Sequence, residues 1–195
     1  MPGRQPRERI LEATLQLVAG EGAEAASLRR IGAVAGLHNS SLFHHFSGKQ
    51  AIHDALAERV VDGAASRVAF LAGDDPPRLA SLIDALGDLA EHLAARPEEA
   101  AYLAHALAGG SEGVMAGARA RATEGLLQPI WQWLVRARDA GEIVRVRPQP
   151  TTLQLVGLVL LEPAWTRSGV GALRPALRAR RRELGVWVRG TLAPG

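Results

Sequence analysis

The chain is 195 residues long, 47% apolar, with 23 basic and 20 acidic side chains and a formal net charge of +3. That apolar fraction excludes general disorder, and the lack of any cysteine excludes a disulfide framework or a thiolate metal site. Ala and Leu dominate while strand-favouring residues are sparse, which predicts an all-helical fold. Residues 1–9 are polar and basic, and the longest apolar run, 153–161, is about half a membrane span, so neither signal peptide nor spanning segment is expected and the protein is expected to be cytoplasmic.

Ile10, Leu11, Thr14, Leu17 and Val18 recur at helical spacing after Pro6 and before Gly20 and Gly22, and predict a first helix over 7–20. Ser27 caps a short second helix, 28–35, with Leu28, Ile31 and Val34 or Ala35 inward. Gly36 supplies a turn residue that tolerates positive φ, and Leu37 ties the two helices together. A third helix starts at His38 or Asn39 and runs to about His45, with Leu42 and Phe46 facing inward. Ser47 and Gln50 fit a capping box for a fourth helix. Lys49, the only lysine, then sits where a cation opposes the helix dipole; a phosphate partner explains it, and so does a solvated surface position.

Amphipathic helices follow from Ala51. Asp74-Asp75-Pro76-Pro77 breaks the first, and the next, 78–95, carries Leu79, Leu82, Ile83, Leu86, Leu89 and Leu93 as its stripe. A short helix over 98–108 leads to a glycine-rich connection at 109–113. A helix over 114–140 is kinked at Pro129, and two final helices span 151–165 and 173–192. The last carries Leu173, Leu177, Leu184, Val188 and Leu192 on one face. A helix-turn-helix domain over 1–50 and a larger helical domain over 51–195 are expected.

Charge is distributed unevenly. Residues 1–50 hold six cations and four acids, and no acid lies between Glu24 and Asp54. A short polar helix flanked by Arg29, Arg30 and Lys49 is what a polyanion with readable edges requires.

Five elements in order resemble the tetracycline-repressor (TetR) family of bacterial transcriptional regulators. They are 9–14 in the first helix, Gly22-Ala23, 27–32, Ala35-Gly36-Leu37, and Ser41-Leu42-Phe43-His44-His45-Phe46 with Lys49 beyond. The resemblance covers about a quarter of the chain. It implies a trihelical head whose third helix enters the major groove, an effector pocket in the middle helices, and dimerisation through the last two. Ser27 resembles a cap that also touches phosphate, Asn39 and Ser40 stand where base edges are read, and Ser41, Phe43, His44, His45 and Lys49 match phosphate-contacting positions; Arg29 and His38 complete the expected DNA-binding residues. Two departures stand out: His38 replaces the usual Ser or Thr, which passes capping to Asn39, and Phe43 replaces a common tyrosine.

Asn39 is suited to a bidentate pair with adenine, worth roughly 1–3 kcal/mol of discrimination, or serves as a helix cap. Arg4, Arg7 and Arg9 form a basic arm along the minor groove or a solvated tail. Arg178, Arg180, Arg181 and Arg182 read as a solvated helix face in preference to a second DNA site. For an effector, His92, Tyr102, His105, Trp131, Trp133 and Trp165 are the candidate contacts, each equally at home in a core; a hydrophobic or aromatic molecule is expected. Leu155, Leu158, Leu177, Leu184 and Val188 are the expected dimer contacts. The expected partners are thus palindromic double-stranded DNA, a small effector and a second copy, with no cofactor, metal or membrane. The expected activity is ligand-responsive repression. Its rivals are an architectural DNA-binding protein and a helical enzyme, and the chain has no G-x-S-x-G, no H-E-x-x-H and no two histidines at i, i+4.

Overall fold

In a computed structural model, residues 5–109, 112–167 and 177–194 are described, without the side chains of Asn39, 161–167 and 177–180. Every regular element among them is helical. The head comprises α1 (Pro6–Glu21), α2 (Leu28–Ala35) and α3 (Asn39–Phe43). All five apolar-face residues predicted for α1 are buried, and Thr14 donates its hydroxyl proton to the Ile10 carbonyl at 2.8 Å. Ser27 caps α2, its Oγ accepting from the Arg30 amide at 3.3 Å. Ile31 and Ala35 face inward while Val34 is exposed, so Ala35 completes the inner face. Gly36 adopts φ 65, and a Cβ there would lie 2.9 Å from Arg9 Nη2. Both the left-handed backbone and the close guanidinium favour glycine.

α4 (Lys49–Ala65) is one continuous helix through the expected boundary at residue 50, and it packs on both α1 and the body. The capping box expected at its start is not formed. Gly48 is the N-cap, so Gln50 stands one position too early to reach back, and its Nε2 donates to Asp54 Oδ1 at 2.8 Å. Arg59 of α4 donates to Glu8 Oε1 of α1 at 2.5 Å and lies 3.9 Å from Glu12, tying the head to the body.

The body is α5 (Leu79–Ala94), α6 (Pro97–Ala108), α7 (Ala116–Ala122), α8 (Gln128–Asp139), α9 (Pro148–Arg167) and α10 (Leu177–Leu192). Where a kink is expected at Pro129, the chain forms a π turn over Thr123–Leu127, in which the Gln128 amide donates to the Thr123 carbonyl. Pro129 has no N–H for the ordinary ladder, so the register slips before it. α6 rests on α1, and α9 lies against α5, α6 and α8.

α10 crosses α5 closely because glycines face the contact. A Cβ on Gly87 would meet Arg181 Cγ at 2.9 Å, and one on Gly185 would meet Ile83 at 3.2 Å. Arg181 donates to Asp84 Oδ1 at 2.9 Å and Asp88 Oδ1 at 2.6 Å. It is therefore an interhelical contact and not part of a solvated face, as the arginine run suggested; the side chains of Arg178 and Arg180 lie outside the described residues. The expected dimer face also needs correction. Leu155 and Val188 are 1% and 0% exposed within a single chain, because their side of α9 and α10 packs on α5 and its neighbours. Leu184 is partly buried against the same core, Leu158 is 42% exposed, Leu173 lies outside the described residues and so does the Leu177 side chain.

Candidate nucleic-acid interface

α3 is five residues long and offers little surface of its own to bury. Leu42 and Phe46 anchor it, at 1% and 7% exposed, and this fixes which side faces out. Ser40, Phe43, His44 and His45 are exposed and Ser41 is half-buried. Phe43 is 57% exposed, a large apolar ring turned to solvent. His38 is the N-cap and makes no side-chain hydrogen bond; Asn39 is the first helical residue, so capping does not pass to it as expected. The side chain of Asn39 lies outside the described residues.

Ser27 and Arg29 are exposed at the start of α2. Arg30 is engaged elsewhere: its guanidinium grips both carboxylate oxygens of Glu21, at 2.8 and 2.6 Å. That hydrogen bonding holds Glu21 below the usual carboxylate range. Lys49 is half-buried, with Nζ donating to the Ala23 carbonyl at 3.1 Å. It is the first helical residue, and it ties α4 to the loop after α1. A backbone carbonyl is thus its partner within the chain, and neither a phosphate nor free solvation is needed to account for it.

The basic arm is not an arm over its described part. α1 begins at Pro6, so Arg7 and Arg9 are helical. Arg7 lies over the Phe46 ring, 5.1 Å from its centroid. Arg9 donates to the carbonyls of Ala35 and Gly36, the latter at 3.1 Å, and closes the end of α2. Arg4 lies outside the described residues.

The six expected effector contacts do not converge. Trp133 is fully buried and donates to Asp74 Oδ2 at 2.7 Å. Tyr102 is fully buried, its hydroxyl 3.5 Å from the His53 carbonyl, and burial pushes its pKa far up. His92 is buried beside Glu99, His105 is exposed, and the Trp165 side chain lies outside the described residues. Trp131 alone of the described ones lines an open apolar cavity of about 330 Å³, with Thr123, Leu127, Gln128, Gln149, Thr152 and Leu153. Sequence reading missed these six. One cue was available: Leu153 falls off the buried face of its helix and is 59% exposed.

A trihelical head with an exposed, acid-free third helix, on a helical body, defines a helix-turn-helix DNA-binding protein. Residues 10–56, the head and the first part of α4, match the family model for bacterial regulatory proteins, tetR family. No curated protein matches the chain. Among solved structures, a TetR-family regulator from Marinobacter aquaeolei is 18% identical with a TM-score of 0.75, over 97% of this chain and 96% of that one. AibR, solved with isovaleryl coenzyme A and operator DNA, is 20% identical with a TM-score of 0.75, over 98% and 100%. A Bacillus subtilis regulator solved with stearoyl-CoA is 15% identical with a TM-score of 0.67, over 93% and 96%. At these identities the likeness is one of fold. Among the described residues no helix is long and apolar enough to cross a membrane.

Proposed function

We propose that the chain is a repressor that binds a palindromic operator as a homodimer and releases it when a small apolar effector enters the body. The observation that carries this reading is α3 itself. Its apolar pair is turned inward, and Ser40, Phe43, His44 and His45 are turned out beside the exposed Ser27 and Arg29. In this reading Asn39 and Ser40 meet base edges, and Ser27, Arg29, Ser41, His44, His45 and Lys49 meet phosphates. His38 and Phe43 lie along the backbone at the groove's edge. Residues 1–50 act as the reading head and 51–195 as the body that sets spacing and senses the effector.

One such head buries too little surface for tight binding, so two are required. The pairing surface is the outer side of α9 and α10, where Leu158, Val186 and Trp187 are 42%, 67% and 42% exposed. The effector site is the cavity beside Trp131. Its lining is apolar, with the amides of Gln128 and Gln149 as its larger polar groups and no charged side chain. That chemistry suits an acyl chain or an aromatic ring with a neutral polar group. The two relatives solved with coenzyme A esters lend this class support.

Selection from random duplex DNA tests the reading. The expected product is a palindrome with half-sites about one helical turn apart, and octanoyl-CoA, whose thioester carbonyl is the neutral polar group beside the acyl chain, releases it. Failure to enrich any sequence at low salt overturns the proposal.

A further inference from the structure

A second concavity, about 240 Å³, opens where the end of α4 meets the junction of α5 and α6. Arg67, Asp88, Glu91, His92, Ala95 and Arg96 line it. His92 forms its deep side, with a side chain only 6% exposed. Arg67 Nη2 lies 3.4 Å and Arg96 Nη1 3.2 Å from one and the same atom, His92 Nδ1. Guanidinium groups only donate, so Nδ1 accepts and the ring proton sits on Nε2. Nε2 is buried without a hydrogen-bond partner, although Glu99 Oε2 stands 3.3 Å away. Burial first, then Arg96 and Arg67, lower the His92 pKa to about 4, so the ring is neutral.

The acids of the rim, Asp88 and Glu91, face another cation, Arg181, which they share with Asp84. Arg181 lies 2.6 Å from Asp88 Oδ1 and 3.7 Å from Glu91 Oε1. Arg96 has Glu99 at 3.7 Å, and Arg67 pairs with no carboxylate among the described residues. Two guanidinium groups therefore converge on one neutral nitrogen with no anion directly between them. Like charges held this close repel, and a bridging anion removes the repulsion while adding charge-assisted hydrogen bonds.

We propose that Arg67 and Arg96 form a clamp for a phosphate dianion, with His92 as its uncharged floor. Arg67 uses one donor on Nδ1 and keeps the rest of its fork for the ligand, while Arg96, whose Nε side faces Glu99 at 3.7 Å, offers its Nη2. Arg67 lies two residues beyond α4, the helix that begins at the head, and Arg96 stands between α5 and α6. A phosphate held between them fastens the far end of α4 to the body. Any effect on DNA binding rests on the regulator reading; the clamp itself does not.

Thermal unfolding of the full chain tests the clamp, with inorganic phosphate and adenosine 3′,5′-bisphosphate compared against sodium chloride at equal ionic strength. The expected result is a Tm that climbs with the logarithm of phosphate or bisphosphate concentration and stays level in chloride. A rise with both, or with inorganic phosphate alone, supports a site for the phosphate group itself; a rise with bisphosphate alone supports a site for a nucleotide-borne phosphate. Arg67→Gln and Arg96→Gln are each expected to abolish the rise. Arg67 is exposed, so its variant carries the test should Arg96→Gln not fold. An equal rise in chloride, no rise at all, or a rise that survives Arg67→Gln overturns the clamp. Operator selection in chloride alone is unaffected by that failure, so the two readings fail separately.

Discussion

The indole nitrogen of Trp133, on α8, donates to Asp74 Oδ2, in the turn before α5, across 2.7 Å. Asp74 also accepts from the Arg78 amide at 3.0 Å and the Ser81 hydroxyl at 3.0 Å. Burial acts to raise the Asp74 pKa, but the bonds from Trp133, Arg78 and Ser81 outweigh it and hold the carboxylate below its usual value of 3.8. The loop between α4 and α5 is thereby pinned to α8.

Asp74→Ala leaves the Trp133 N–H buried without a partner, and is expected to cost about 1–3 kcal/mol in urea unfolding. The pH dependence has a definite sign. A carboxylate whose folded pKa is depressed contributes stability above its unfolded value, and that stability disappears as pH falls through the folded pKa. The loss from Asp74 therefore belongs below about pH 4, and Asp74→Ala removes that part of the acid transition. An unchanged urea midpoint would show that the pin carries no load.

His53 gives a second acid effect in a different window. It is 1% exposed on α4, and neither ring nitrogen has a hydrogen-bond partner. Burial chiefly, with Lys49 adding to it, lowers its pKa from 6.5 to about 4. The folded state thus binds the neutral ring, and stability present above pH 6.5 drains away as pH falls from 6.5 to about 4. The full effect is about 3 kcal/mol at about 1.4 kcal/mol per pKa unit. His53→Leu strands no partner, so it is expected to flatten this slope without loss at pH 8, as followed by denaturant midpoints across pH. A slope unaltered by the substitution refutes the assignment to His53.

What was legible in the sequence follows from where local signals decide. The head's elements are set by nearby residues: Ser27 caps, Gly36 turns, and Leu42 with Phe46 orients α3. Those readings needed no knowledge of distant contacts. The apolar stripes of the body gave the helices equally well, but not their partners. Val188 and Trp187 are adjacent on α10, one fully buried and one 42% exposed, and periodicity does not say which side meets α5. Arginines misled for the same reason, since Arg9 and Arg181 find partners far along the chain. The cavity beside Trp131 is formed between the π turn, α8 and the start of α9, and its geometry depends on the register slip before Pro129.

On the proposed DNA face, Arg29→Ala and Asn39→Ala are expected to differ in kind. Arg29 is exposed and unpaired among the described residues, so its loss should weaken binding to all duplexes and lower the salt slope by about one unit. Asn39→Ala should relax sequence preference by about 1–3 kcal/mol at one base pair while sparing nonspecific binding. Titrations against matched and mismatched duplexes at several salt concentrations separate the two. Identical profiles for both variants would remove the distinction between reading and positioning residues.

The proposed pairing face gives the sharpest contrast, because it lies next to the core on the same helix. Trp187 projects outward and Val188 inward, at 42% and 0% exposed. Trp187→Glu places a charge where a second copy would have to desolvate it, so sedimentation is expected to give monomers that unfold at nearly the original denaturant concentration. Val188→Ala instead removes packing inside one chain, and is expected to cost about 1–3 kcal/mol while leaving the association state alone. Monomers from Val188→Ala together with an intact dimer from Trp187→Glu would require the partner to approach the opposite side of α10. That side is already occupied by α5, which Arg181 and the closely packed Gly87 hold in place.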